Sequence, residues 1–137
     1  MQPSIVHAKD LTEFPIYERC SILESLNRPA DEELSLARAR VEPGVATAWH
    51  AVEGTTERYL VTSGQGRVEV GDLPPAEVGP GDVVLIPPGV RQRIANIGDE
   101  DLCFYCICTP PFDASNYIDL EGDEPTRRDA ITGRELD

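Results

Sequence analysis

Apolar and polar positions alternate with a period of two through the middle of the chain, as expected of strands with one face toward a core. The alternation begins at Leu34 and runs to Glu42, where Pro43-Gly44 turns the chain. It resumes from Glu57 to Ser63, stops at Gly64-Gln65-Gly66, and continues from Arg67 to Val70. A loop at Leu73-Pro74-Pro75 precedes a short strand at Ala76-Glu77-Val78. Gly79-Pro80-Gly81-Asp82 then leads into Val83 to Ile86, and Pro87-Pro88-Gly89 leads into Val90 to Ala95. The last strong strand spans Leu102 to Thr109. Many short strands punctuated by glycine and proline predict an all-β sandwich or barrel.

The flanks follow no such period. Tyr17 to Leu26 reads as a strand or a short helix, ended by Asn27-Arg28-Pro29, because the residue before proline is held out of the helical region. Beyond Pro110-Pro111 the chain turns acidic, with eight carboxylates in residues 113–137 against Arg127, Arg128 and Arg134. Phe112, Tyr117, Ile118 and Leu120 are apolar enough to dock the first half of this tail, and the last dozen residues are expected to be mobile. The expected organisation is an N-terminal segment 1–33 packed on the barrel or a partner subunit, a barrel 34–112, and an acidic tail 113–137.

Length and charge narrow the functional classes. A chain of 137 residues makes one domain, burying roughly 68% of its unfolded surface. A net charge of -13 argues against nucleic acid and anionic membranes as partners, since both require clustered positive charge. No apolar run approaches the about 18 residues of a membrane helix. No basic-then-apolar leader is visible, so a cytoplasmic location is expected. Its cysteines are then reduced thiols. Cys103 and Cys106 fall on opposite strand faces and cannot chelate one ion. Cys106 and Cys108 share a face and read as small core residues.

Two glycine-bounded segments carry the chemistry. The first places Gly44, His50, Val52, Glu57 and Gly64, and the second places Gly81, Pro87, Gly89, Gln92 and Asn96. Both resemble the paired motifs of the cupin superfamily. The first motif there reads Gly, five residues, His-x-His, three or four residues, Glu, six residues, Gly. The second reads Gly, five residues, Pro-x-Gly, two residues, His, three residues, Asn. Every spacer in this chain fits, over residues 34–109, but Val52 and Gln92 stand where the family has histidines. The resemblance implies a double-stranded β-helix, or jelly-roll barrel. The Cys108-Thr109-Pro110-Pro111-Phe112 run followed by Tyr117 is similar to small single-domain bacterial cupins, commonly homodimers that exchange an N-terminal segment.

By that resemblance His50 and Glu57 keep their ligand positions, and Gln92 takes the place of the second-motif histidine. The implied metal set is His50, Glu57 and Gln92, a weakened site for zinc, manganese, nickel or iron. Beside it stands an empty barrel, with His50 a packed pocket histidine and Glu57 paired to Gln92 or an arginine. A carboxylate inside an apolar barrel needs some partner, whether a metal, Arg38 or Arg40, or the Gln92 amide. Alternation turns Glu57, Tyr59 and Val61 inward and Arg58, Leu60 and Thr62 outward. It likewise turns Gln92 and Ile94 inward, with Arg91 and Arg93 outside. The candidate ligand pocket therefore comprises Tyr59, Gln92 and Val52. Arg38 and Arg40 join it if their shared face is the inner one. Trp49 should face away from His50, and His7 should be exposed.

The function expected is a cupin with a small-molecule pocket and a weak divalent-metal site. The alternative is a metal-dependent isomerase, lyase or dioxygenase on a small carboxylate- or sugar-like substrate, with Glu57 or His50 moving a proton. The expected partners are a small-molecule ligand and a second copy of the chain.

Overall fold

The alternating segments pair into two six-stranded sheets in the computed structural model, which describes residues 1–137. The first sheet contains β1 (Phe14–Pro15), β2 (Ser21–Leu26), β3 (Ser35–Val41), β5 (Thr56–Ser63), β8 (Val83–Ile86) and β10 (Leu102–Thr109). Their spatial order is β1-β2-β3-β10-β5-β8. The second contains β4 (His50–Val52), β6 (Gly66–Val70), β7 (Ala76–Val78), β9 (Gln92–Asn96), β11 (Tyr117–Asp119) and β12 (Thr126–Arg128). Its order is β12-β11-β4-β9-β6-β7. Every pairing is antiparallel, and the inner faces of the sheets enclose the core of a jelly-roll barrel. No helix is long and apolar enough to cross a membrane.

The ambiguous stretch from Tyr17 to Leu26 resolves as strand from Ser21 onward, because β2 pairs along β3 with Leu23 opposite Arg38. The first half of the acidic tail docks on the barrel, and its last dozen residues depart from their expected mobility. β11 pairs with β4, β12 pairs with β11, and Glu135 bridges back to Arg128. Its turn is held by Asp129, whose Oδ1 accepts from the backbone N–H groups of Ile131 and Thr132, each at 2.9 Å. Such local polar bonding fixes the chain without any apolar period to announce it.

A gradient of side-chain size runs along the barrel axis. At one end β10 contributes Leu102 and Phe104, opposite Val41 and Ala39 of β3. With Val61, Ile86 and Ile94 these form a filled core. Toward the other end β10 contributes Cys106 and Cys108, opposite Ala37 and Ser35. Those four small side chains cannot span the space between the sheets, so the close packing of the first end gives way to a cavity at the second.

The glycines of the first motif separate two constraints. Gly44 and Gly64 both have left-handed φ angles, +79° and +84°. A Cβ on Gly44 would meet nothing within 4 Å, whereas one on Gly64 would lie 2.6 Å from Asp101 O. Gly44→Ala should therefore cost only the left-handed penalty of about 1–2 kcal/mol. Gly64→Ala should cost clearly more in denaturant unfolding, because backbone must move. Equal costs would mean that the Asp101 segment yields freely.

Candidate functional site

A buried hydrogen-bond chain crosses the barrel between the two sheets. Gln92 Nε2, on β9, donates to Glu57 Oε1, on β5, at 2.6 Å. The Tyr59 hydroxyl donates to Gln92 Oε1. Since an ionised carboxylate only accepts, the amide nitrogen must face Glu57, and this fixes the orientation of the amide. Of the partners considered for Glu57, the Gln92 amide is the one it has. Gln92 is fully buried and Glu57 is only 6% exposed. Burial raises the Glu57 carboxyl above its ordinary value, and Glu18 adds to this, while His50 and the Gln92 hydrogen bond pull it down.

Beside this chain lies a cavity of about 80 Å³, with His50, Val52, Glu57, Cys106, Cys108 and Tyr117 on its walls. His50 Nδ1 is 2.7 Å from Ala48 O and 3.1 Å from Glu18 Oε2. Both neighbours are acceptors, so Nδ1 carries a hydrogen. The imidazole lies nearly parallel to the Tyr117 ring, with centroids 5.0 Å apart. Cys108 Sγ is 3.9 Å from Glu57 Oε2. Burial and the nearby Glu57 charge push the Cys108 thiol up to about 12, and burial carries Cys106 well above its usual value. Both therefore act as neutral thiols rather than nucleophiles.

The chain termini complete the cavity. Phe14, Ile16 and Glu18 enter from the N-terminal side, and Ala130 and Ile131 from the C-terminal side. Ala48 N–H donates to Glu18 O at 3.1 Å, fastening the segment before β2 to the segment before β4. Arg19 has a left-handed φ of +75°, a strained conformation for a residue other than glycine. Its guanidinium binds Ala46 O at 2.9 Å and Glu121 Oε1 at 2.8 Å, which holds the turn that presents Glu18. The two ends meet at Asp119, whose Oδ2 accepts from the Tyr17 hydroxyl at 2.7 Å and from Arg128 Nε at 2.6 Å. Burial would raise the Asp119 carboxyl, but these bonds and the Glu121 N–H hold it below its ordinary value.

His50, Glu57 and Val52 thus come together on the cavity as the motif spacing predicts. Other expected residues land elsewhere. Tyr59 and Gln92 lie beneath the cavity floor, bonded to each other, and Tyr59 packs on Phe104 at 4.5 Å. Arg38 and Arg40 are not pocket residues. Ala37 and Ala39 take the inner face of β3, so the arginines point outward and bind Glu13, with Arg40 Nη2 2.7 Å from its carboxylate. Trp49 also faces out, with the Arg91 and Arg93 guanidinium carbons 5.2 and 4.4 Å from its ring centroid. The cysteine pair shares an inner face as expected, but it borders open space rather than filled core. Glu18 and Tyr117 belong to the aperiodic flanks: Tyr117 reads in the sequence only as a residue that docks the tail, and Glu18 carries no signal there.

The cupin family model, described as a cupin domain, matches residues 37–108. The chain belongs to the cupin family. An uncharacterised protein of Methanocaldococcus jannaschii is 36% identical to this cupin over 78 residues, which cover 57% of the chain. The match spans 62% of that relative's length. A predicted oxalate decarboxylase from Thermotoga maritima superposes with a TM-score of 0.70 at 23% identity, over 78% of this chain and 99% of that one. KdgF from Halomonas sp. superposes with a TM-score of 0.72 at 14% identity, over 82% and 97%. These structural likenesses show a shared double-stranded β-helix.

The donor set does not suit the metal that the motifs imply. Gln92 is the expected third ligand, but its oxygen takes the Tyr59 proton, its nitrogen faces Glu57, and neither reaches the cavity. Val52 presents only methyl groups at the remaining position. No group of three His, Cys, Asp or Glu side chains converges on a point where an ion could be held.

The raised Glu57 carboxyl has a signature in stability. Its contribution is fully present below the unfolded value of about 4.5 and is lost as pH rises through the higher folded value. Glu57→Gln keeps an oxygen to accept from Gln92 and removes the titration. The melting temperature of the variant minus that of the wild type should therefore increase steadily with pH above about 4.5. A difference that stays flat from pH 4 to 8 would show that Glu57 does not titrate abnormally.

Proposed function

We propose that this cupin binds a small organic molecule in the barrel cavity without a resident metal. The observation that carries this reading is the Tyr59–Gln92–Glu57 chain, which uses the amide in bonding the two sheets. What remains is an apolar chamber with a few buried polar groups, the usual composition of a small-molecule site. His50 and Glu57 border the same chamber, and Glu57 has a raised carboxyl. That pairing favours a second reading, in which the bound molecule undergoes a metal-independent proton transfer between these two groups. In it, His50→Ala and Glu57→Gln would each abolish a turnover that chelator leaves intact.

Filling the chamber tests the first reading. Ala37→Leu places a larger side chain in the space left by the small residues of β3 and β10. It should remove the ligand-induced rise in melting temperature, while the overpacking cost stays within about 1–3 kcal/mol. Metal content by mass spectrometry, after incubation with zinc, manganese, nickel and ferrous iron, should stay far below one ion per chain. Near-stoichiometric metal that disappears in Glu57→Gln would sink the proposal.

A homodimer belongs to the same reading. β8 pairs only with β5, which leaves one hydrogen-bonding edge free. Val83 and Leu85 on that strand are 62% and 60% exposed. An open apolar edge of this kind favours pairing with a second copy. Light scattering should give a dimer mass for the wild type and a monomer mass for Leu85→Lys. A monomeric wild type at micromolar concentration would refute the assignment.

A further inference from the structure

We propose that the cavity selects a small, mostly apolar molecule bearing a protonated amine, with the ammonium held by Glu18 beside His50. This rests on the reading of the cavity as an organic-ligand site. The cavity walls hold unspent hydrogen-bonding capacity.

Acceptors are in excess. Glu18 Oε2 is buried and accepts no hydrogen bond from the protein. It lies 3.1 Å from His50 Nδ1, but the hydrogen there is directed at Ala48 O. The one ring hydrogen bond of His50 is made by Nδ1. Glu57 Oε2 has only the weak Cys108 thiol at 3.9 Å. On the donor side stands the Tyr117 hydroxyl, on a wall residue 2% exposed, and it too has no partner. An unpartnered buried carboxylate oxygen is costly, and the matching group is a cation with N–H donors.

No arginine or lysine of the chain can serve, and the one His50 N–H near Glu18 is directed at Ala48 O. Neither arginine nor lysine lines the cavity. Arg128 is bound to Asp119, Arg19 to Glu121, and Arg38 and Arg40 to Glu13. A carboxylate ligand would meet Glu18 and Glu57 with no opposing arginine, so like charges would exclude it. This reverses the preference for an acidic substrate that an inward Arg38 and Arg40 would have conferred. A metal ion would need at least three converging donors, which the side chains do not supply. An ammonium needs only the acceptors present. Phe14, Ile16, Ile22 and Val52 give the rest of the molecule an apolar wall.

Three probes of similar shape and different charge test this: isoamylamine, isoamyl alcohol and isovalerate. Binding is measured by calorimetry at pH 7 in the presence of chelator, on wild type, Glu18→Gln and Ala37→Leu. The amine should bind at least tenfold more tightly than the alcohol, and isovalerate should give no heat. Glu18→Gln should lose that tenfold preference while still binding the alcohol, and Ala37→Leu should bind none of the three. The wild-type ranking stands by itself if Glu18→Gln fails to fold. Isovalerate binding as tightly as the amine, or a preference unchanged in Glu18→Gln, overturns the proposal. An alcohol that binds as tightly as the amine overturns it too, yet leaves the organic-ligand site intact. No binding of any probe to wild type overturns both.

Discussion

The hydrogen-bond chain from Tyr59 through Gln92 to Glu57 is the interaction on which the interior of this barrel depends. It bridges the two sheets, so it is at once a structural tie and the boundary between filled core and cavity. A carboxylate buried to this degree must be ionised with a partner or protonated, and the amide supplies the partner. The same bond denies Gln92 to any ion. One side chain thereby decides between two kinds of interior, with no change in strand geometry.

Around that tie the cavity arises from ordinary packing. Leucine and phenylalanine at one end of β10 give way to two cysteines at the other, beside an alanine and a serine of β3. The terminal segments then close the space these residues leave open. Glu18 reaches His50 because a strained Arg19 and a backbone bond to Ala48 hold its turn. Asp119 joins the two ends through Tyr17 and Arg128. The chamber is acidic within, and Arg19, Arg40 and Arg128 outside it are already paired with carboxylates.

Much of this was legible in the sequence where the physical signal is local. Alternation placed the strands and oriented Glu57, Gln92 and Trp49, and the motif spacers identified the barrel. β3 was harder, because Leu36-Ala37-Arg38-Ala39-Arg40 offers apolar residues to both faces and alanine does not declare a side. Cys106 and Cys108 share an inner face as alternation implies, but they line a cavity instead of filling a core. The space they border becomes evident only when register sets Ser35 and Ala37 opposite them. Glu18 and Tyr117 lie in flanks without a period, and what brings them to His50 is long-range pairing, of Glu18 with Ala48 and of Tyr117 with Val52. The tail is ordered by Asp129 and by strand addition, neither of which leaves a hydrophobic pattern.

The cavity is walled by residues from both early and late in translation. Until Tyr117, Ala130 and Ile131 have left the ribosome, the barrel is a cup open to solvent. A molecule entering then displaces no packed side chain. In the finished protein those late residues share the wall with Phe14, Ile16 and Glu18, so the chamber exists only once both ends of the chain are in place.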